Sequence, residues 1–258
     1  MPTTTSADGV PIAYDVTGSG PGLVLVHGIT ESRRAWDPLV PALAVDHTVV
    51  AVDVRGHGRS GSAATYDAAS MARDVAVAVA ALGLDAPVVV GHSMGGLVAT
   101  AYAGAHPCAG VVNIDQSIAL GDFQDLVRSV EPMLRSDAFD GVITALFESM
   151  HGPLAEGEVA RLAALRRPVR EVVLGVWAPL LELDRAALDA LVTEVAGAVH
   201  VPYLALHGTD PGPGYAAWLR SLIATATVEV WDDHGHYPHL VDGARFVDRL
   251  RAFEATGG

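Results

Sequence analysis

Apolar positions in the first half of the chain fall into two alternating kinds of run. Leu23 to His27, Val49 to Asp53, Val88 to Gly91 and Val111 to Asp115 are short, rich in valine and apolar at nearly every position. That is the pattern of strands buried on both faces. Ala68 to Leu82 instead keeps Met71, Val75, Ala78, Val79 and Leu82 on one helical face, with Arg73 and Asp74 opposite, and predicts a crossover helix. Val10 to Val16, bounded by Gly9 and Gly18, predicts a preceding antiparallel strand. The alternation predicts an α/β fold in which a mostly parallel central sheet carries helices on both faces.

The strand pattern stops near Asp122 and returns near Val199. In between, Leu126, Val130, Met133 and Leu134, then Val142, Leu146, Phe147 and Met150, recur at helical spacing. Pro132, Pro153, Pro168 and Pro179 are expected to cut this stretch into pieces, because proline suits a first helical turn and breaks an interior. The reading is an inserted α-helical cap over residues 120–199, with 1–119 and 200–258 forming the core domain. Val201 to His207 and Val228 to Trp231 resume as strands, and Val241 to Phe253 closes the chain as an amphipathic helix.

Composition narrows the class of partner. Half of the 258 residues are hydrophobic, enough for one sizeable core, and the net charge is −14 from 30 acidic against 16 basic residues. This balance argues against nucleic acid or an anionic membrane surface as partner. With neither a leader-like segment nor an apolar run of spanning length, the expectation is a cytoplasmic protein that does not enter a membrane. Cys108 is the only cysteine, which excludes an internal disulfide. The oligomeric state is left open, a homodimer included.

The chemistry starts at Gly91-His92-Ser93-Met94-Gly95, set between a predicted strand and the apolar helical stretch Gly96 to Ala105. A serine raised on a sharp strand-to-helix turn adopts a strained backbone, and crowding by strand and helix requires small flanking residues. Ser93 is therefore the candidate nucleophile. It needs a histidine to take its proton and a carboxylate to orient that histidine. His234, His236 and His239 all follow the last predicted strand, and His236 is preferred because Gly235 permits a tight loop. A zinc site on the same three histidines lacks a completing ligand set, so neither metal nor cofactor is expected; no P-loop or dinucleotide fingerprint is present either.

The His27-Gly28 turn, the loop Asp53 to Ser60, the Gly91 to Gly96 elbow, the helical insertion and Gly235-His236, in that order, make the chain resemble the α/β-hydrolases. The resemblance implies an oxyanion hole from the amides of Met94 and Ile29, with the charges of the Asp53 to Ser60 loop bracing loops. It offers two acids. Asp210, in Gly208-Thr209-Asp210, follows the late strand where the family usually carries its acid, although the spacing is one residue shorter than the usual Gly-x-x-Asp. Asp115 follows the strand after the elbow helix, where some lactonases and dehalogenases of the family carry it. Asp210 is the first choice and Asp115 the alternative. Trp36, Phe147, Met150, Trp177 and Trp218 are the bulky side chains expected to line a pocket.

The expected activity is hydrolysis of a carboxylic ester or lactone of a small to medium hydrophobic substrate through an acyl-enzyme. Relatives with the same triad imply alternatives: carbon–carbon bond hydrolysis, perhydrolysis or haloperoxidation, and cyanohydrin cleavage. A receptor that binds without turnover is the reading outside catalysis. Epoxide hydrolases and haloalkane dehalogenases of this fold use an aspartate nucleophile, which Ser93 disfavours.

Overall fold

A computed structural model describes residues 2–255. Its centre is an eight-stranded sheet in the order β1-β2-β4-β3-β5-β6-β7-β8. The strands are β1 (Thr3–Thr5), β2 (Pro11–Thr17), β3 (Gly22–Val26), β4 (Thr48–Val52), β5 (Val88–His92), β6 (Gly110–Ile114), β7 (Tyr203–His207) and β8 (Ala226–Val230). β1 and β2 pair antiparallel, β2 lies antiparallel on β4, and every other pairing is parallel.

Alternation along each strand builds two cores. Val24, Val26, Val50, Val52, Val89 and Val111 face one side, while Leu23, Leu25, Val49, Ala51, Val90 and Val112 face the other. A central parallel strand must be apolar throughout because both faces are covered. The first face packs on α2 (Ala68–Ala81) and α3 (Met94–Ala105); the second packs on α1 (Val40–Leu43) and on Phe246, Leu250 and Phe253 from the closing helix. Asp67 starts α2 by accepting the Ser70 amide at 2.8 Å, satisfying one of the orphan donors of a helix start.

Between β6 and β7 the chain is wholly helical: α4 (Gly121–Leu134), α5 (Phe139–Ser149), α6 (Glu156–Leu165), α7 (Arg170–Val176), α8 (Ala178–Glu182) and α9 (Arg185–Gly197). Pro153 and Pro168 fall between these helices and Pro179 in the first turn of α8, where its missing N–H costs nothing. Pro132 departs from the expectation. It lies inside α4, two residues before the helix ends, and forfeits only the hydrogen bond to the Arg128 carbonyl. After β7 come α10 (Tyr215–Leu222), α11 (Pro238–Val241) and α12 (Gly243–Ala255); the closing helix read over Val241 to Phe253 is α12, starting two residues later, and the short α11 precedes it. No helix among the described residues is long and apolar enough to cross a membrane.

The chain runs from β3 to β4 on one side of the sheet and then to β5 on the other. The carboxyl ends of β3 and β5 therefore flank a point where the strand order reverses, the place where open α/β sheets leave a crevice.

Candidate active site

Ser93 stands at that crevice, between the end of β5 and the start of α3, with φ 52° and ψ −126°. Its amide donates to the Ile114 carbonyl at 2.9 Å, and its own carbonyl accepts from Gly96 at 2.7 Å, so the turn is fixed on both sides. A Cβ at Gly91 would lie 1.9 Å from the Gly95 carbonyl oxygen, and one at Gly95 would lie 2.3 Å from that of Val26. No side chain fits at either position, which is the physical content of the Gly-x-Ser-x-Gly spacing.

The histidine and acid are brought together from opposite ends of the second half of the chain. His236 Nδ1 donates to Asp115 Oδ2 at 2.7 Å, and Asp115 Oδ1 accepts the Gly208 amide at 2.8 Å. Asp115 immediately follows β6 and has φ 50°, a left-handed conformation that aspartate tolerates better than most residues. Burial pushes the Asp115 carboxyl up, but the hydrogen bond from His236 and the Gly208 amide outweigh it and hold the group below its ordinary value. Burial moves the His236 imidazole below its ordinary value despite the Asp115 hydrogen bond. A ring that is unprotonated at neutral pH has Nε2 free to act as a base.

The expectation for Asp210 is not met. It lies exposed on the loop after β7, where its carboxylate accepts the Gly212 amide at 2.9 Å in a turn of its own. The other two histidines diverge from His236. His234 is half-buried against the Asp232 carbonyl, and His239 is buried beside Trp36 and His92, with ring centroids at 5.0 and 4.7 Å.

Ile29 and Met94 line the same cavity as Ser93. Met94 opens α3, so its amide has no acceptor within the helix. The loop carrying Ile29 is pinned by His27, whose Nδ1 donates to the Gly28 carbonyl at 2.7 Å while Nε2 accepts the Val54 amide at 3.3 Å. Behind it, Asp53 accepts the amides of Arg33 and Arg59 and pairs with the Arg33 guanidinium, which makes this charged loop a brace.

The cavity holds about 210 Å³ and is almost wholly apolar. Met94 and Leu97 form its floor, and Phe147, Met150 and Trp177 its roof, as the sequence predicts for those three. Trp36 and Trp218 are corrections: neither lines it. Trp36 is fully buried in the core under α12, because its short helix turns the ring inward, and Trp218 packs on Tyr215 at 5.7 Å between centroids.

A polar cluster beside His236 escaped the sequence reading. His92 Nε2 donates to the His236 carbonyl at 2.7 Å and fixes the histidine loop. Tyr237 donates to the buried Glu31 carboxylate at 2.9 Å and accepts from Arg166, which follows α6, at 2.8 Å. Burial raises the Glu31 carboxyl, but its His92, Tyr237 and Arg166 neighbours hold it well below the usual carboxylate range. Nothing local in sequence marks these residues, since the cluster assembles from four separate segments.

Comparison with known proteins gives the class. The family model of the alpha/beta hydrolase fold matches residues 21–210, and the chain belongs to that family. Among solved structures, an esterase from Rhodococcus sp. ECU1013 superposes with a TM-score of 0.74 at 29% identity, covering 100% of this chain and 99% of the other. A non-heme haloperoxidase of Rhodococcus erythropolis is 28% identical over 257 residues, 92% of this chain and 93% of that protein. A soluble epoxide hydrolase of a Corynebacterium species is 43% identical over 97 residues, 37% of this chain and 34% of the relative.

Proposed function

We propose that the protein is a serine hydrolase acting on carboxylic esters or lactones with an apolar body. The observation that carries this is the strained Ser93 at the wall of an apolar cavity, in a fold where His236 is bonded to Asp115. Ser93 attacks the carbonyl, and His236 takes its proton and returns it to the leaving oxygen. Asp115 fixes the imidazole tautomer and stabilises the imidazolium. The Met94 and Ile29 amides hold the oxyanion, each donor being worth about 3 to 4 kcal/mol. Water then attacks the acyl-enzyme and releases the acid.

Helices α4 to α9 act as the cap that closes the site and selects the substrate. No Lys, Arg or His lines the cavity and its polar lining is sparse, which favours a neutral substrate. The epoxide-hydrolase reading requires an aspartate where this chain has Ser93. The full-length similarity to a haloperoxidase supports one second reading, in which hydrogen peroxide replaces water as the attacker of the acyl-enzyme and yields a peracid.

The test is turnover of p-nitrophenyl and lactone panels by wild type and Ser93→Ala, with and without hydrogen peroxide. Hydrolysis that disappears in Ser93→Ala is the expected result. Undiminished turnover in that variant overturns the reading, and peracid formed in preference to acid supports the peroxide alternative.

A further inference from the structure

A second apolar cavity, of about 350 Å³, lies between α4 and α5 on the outer side of the helical segment. Its lining residues, among them Leu126, Val130, Met133 and Val142, carry no charged or hydrogen-bonding side chain apart from the Trp177 indole. Phe123, Leu146 and Trp177 line both this cavity and the one at Ser93. The two spaces are therefore separated by a partition one side chain thick, in which the Phe123 and Trp177 rings meet edge to face at 5.8 Å.

Exposure points the same way. Of the six large hydrophobic side chains exposed among the described residues, Leu126 and Met133 stand on the outer cavity and Leu191 on the inner one. Soluble proteins scatter such residues singly, so their gathering at two adjoining apolar spaces marks a surface that receives an apolar ligand.

Resting on the hydrolase reading above, we infer that the outer cavity is a subsite for the distal part of a linear alkyl chain. The carbonyl end of the substrate sits at Ser93, and the chain passes the Phe123, Leu146 and Trp177 partition into the groove between α4 and α5. Its place directly across that partition from the inner cavity identifies this occupant, and an outer lining with no charged side chain and no polar group but the Trp177 indole disfavours a sugar, a peptide backbone or an ionised group. The partition side chains move by rotamer changes, which cost little and occur quickly. A preference for long-chain substrates is the expected consequence, each methylene that enters the groove raising kcat/KM about fourfold.

The experiment compares wild type, Leu126→Gln/Met133→Gln and Leu146→Trp on two series, p-nitrophenyl acyl esters from acetate to dodecanoate and alkyl acetates from butyl to dodecyl. The first pair lies outside the inner cavity and tests the groove alone, and Leu146→Trp plugs the partition. Wild-type kcat/KM should climb with length in one series, which also tells whether the chain is on the acyl or the alcohol side. Leu126→Gln/Met133→Gln should keep acetate hydrolysis and lose about tenfold or more on the longest member, from weakened burial of several methylenes. A flat profile, or an equal loss at every length, overturns the subsite.

Calorimetric binding of linear alkan-1-ols from butanol to dodecanol to the same proteins separates the two claims. Length-dependent binding that the groove variant weakens supports the subsite even if no ester is turned over. Sedimentation gives the remaining outcome: a dimer that the groove variant splits, with unchanged length dependence, makes the groove an interface between copies and overturns the proposal.

Discussion

Asp115 and Asp210 follow neighbouring strands, β6 and β7, and only one of them faces His236. The loop that carries Asp210 is itself tied to Asp115, whose second carboxylate oxygen takes the Gly208 amide at 2.8 Å. An asparagine at 115 would keep the volume but offer an N–H where the imidazole needs an acceptor, favouring the wrong tautomer. Asp115→Asn is expected to lower kcat by on the order of 10⁴. Asp210→Asn, an exposed change, should stay within about twofold. Steady-state kinetics on p-nitrophenyl butyrate decide it, and a large loss at Asp210 would remove Asp115 from the proposed triad. The turns that carry Ser93 and His236 were legible in sequence because flanking glycines announce them. Which of Asp115 and Asp210 pairs with His236 was not, because the left-handed backbone at Asp115 that aims its carboxylate leaves no signature in the neighbouring residues.

At the scale of elements, the strand, turn and helix around Ser93 store strain. The dihedral pair 52°, −126° lies outside the regions open to an L-residue, and such a residue costs of the order of 1 to 3 kcal/mol, tolerated because Gly91 and Gly95 let strand and helix close around it. Glycine carries no such penalty. Ser93→Gly and Ser93→Ala should therefore both be inactive, but Ser93→Gly should melt about 2 to 4 °C higher, as expected for roughly 1 kcal/mol in a chain of this size. Equal melting temperatures in differential scanning calorimetry would mean that the turn is unstrained. The buried parallel strands were legible almost to the residue, since both-face burial demands an unbroken apolar run. Thr3–Thr5 was not, because a polar edge strand has no buried face to pattern. Trp36 was assigned to the pocket and lies in the core, since an aromatic near a motif carries no information about which way its short helix turns it.

For the molecule as a whole, acid should be destabilising well before the carboxylates titrate. Burial depresses the imidazoles of His27, His57, His207, His236 and His239, His57 to about 3. An imidazole whose native value lies below its unfolded value binds its proton preferentially in the unfolded chain, so stability is lost as pH falls through about 6.5. His47 works in the opposite sense: burial lowers it, but Glu254 and Asp46 prevail and raise it, so its contribution is present below about 6.5. The depressed carboxylates of Glu31 and Asp115 add their loss only at lower pH. Falling pH also relieves the net charge of −14, since the isoelectric point is near 5.0. That charge is spread over the surface and screened within about 8 Å at physiological salt. Each strongly depressed histidine, by contrast, costs about 1.4 kcal/mol per pH unit once below 6.5. These five depressed histidines, with His106 and His151 lowered in the same sense, against one raised one decide the balance. The melting temperature in 150 mM salt should therefore fall by several degrees between pH 7.5 and 5.5, and a rise would show that charge repulsion governs instead. Because four of the five, His27, His57, His236 and His239, lie in or pack around the loops at Ser93, activity should fall over the same interval, and restoring pH 7.5 should recover it.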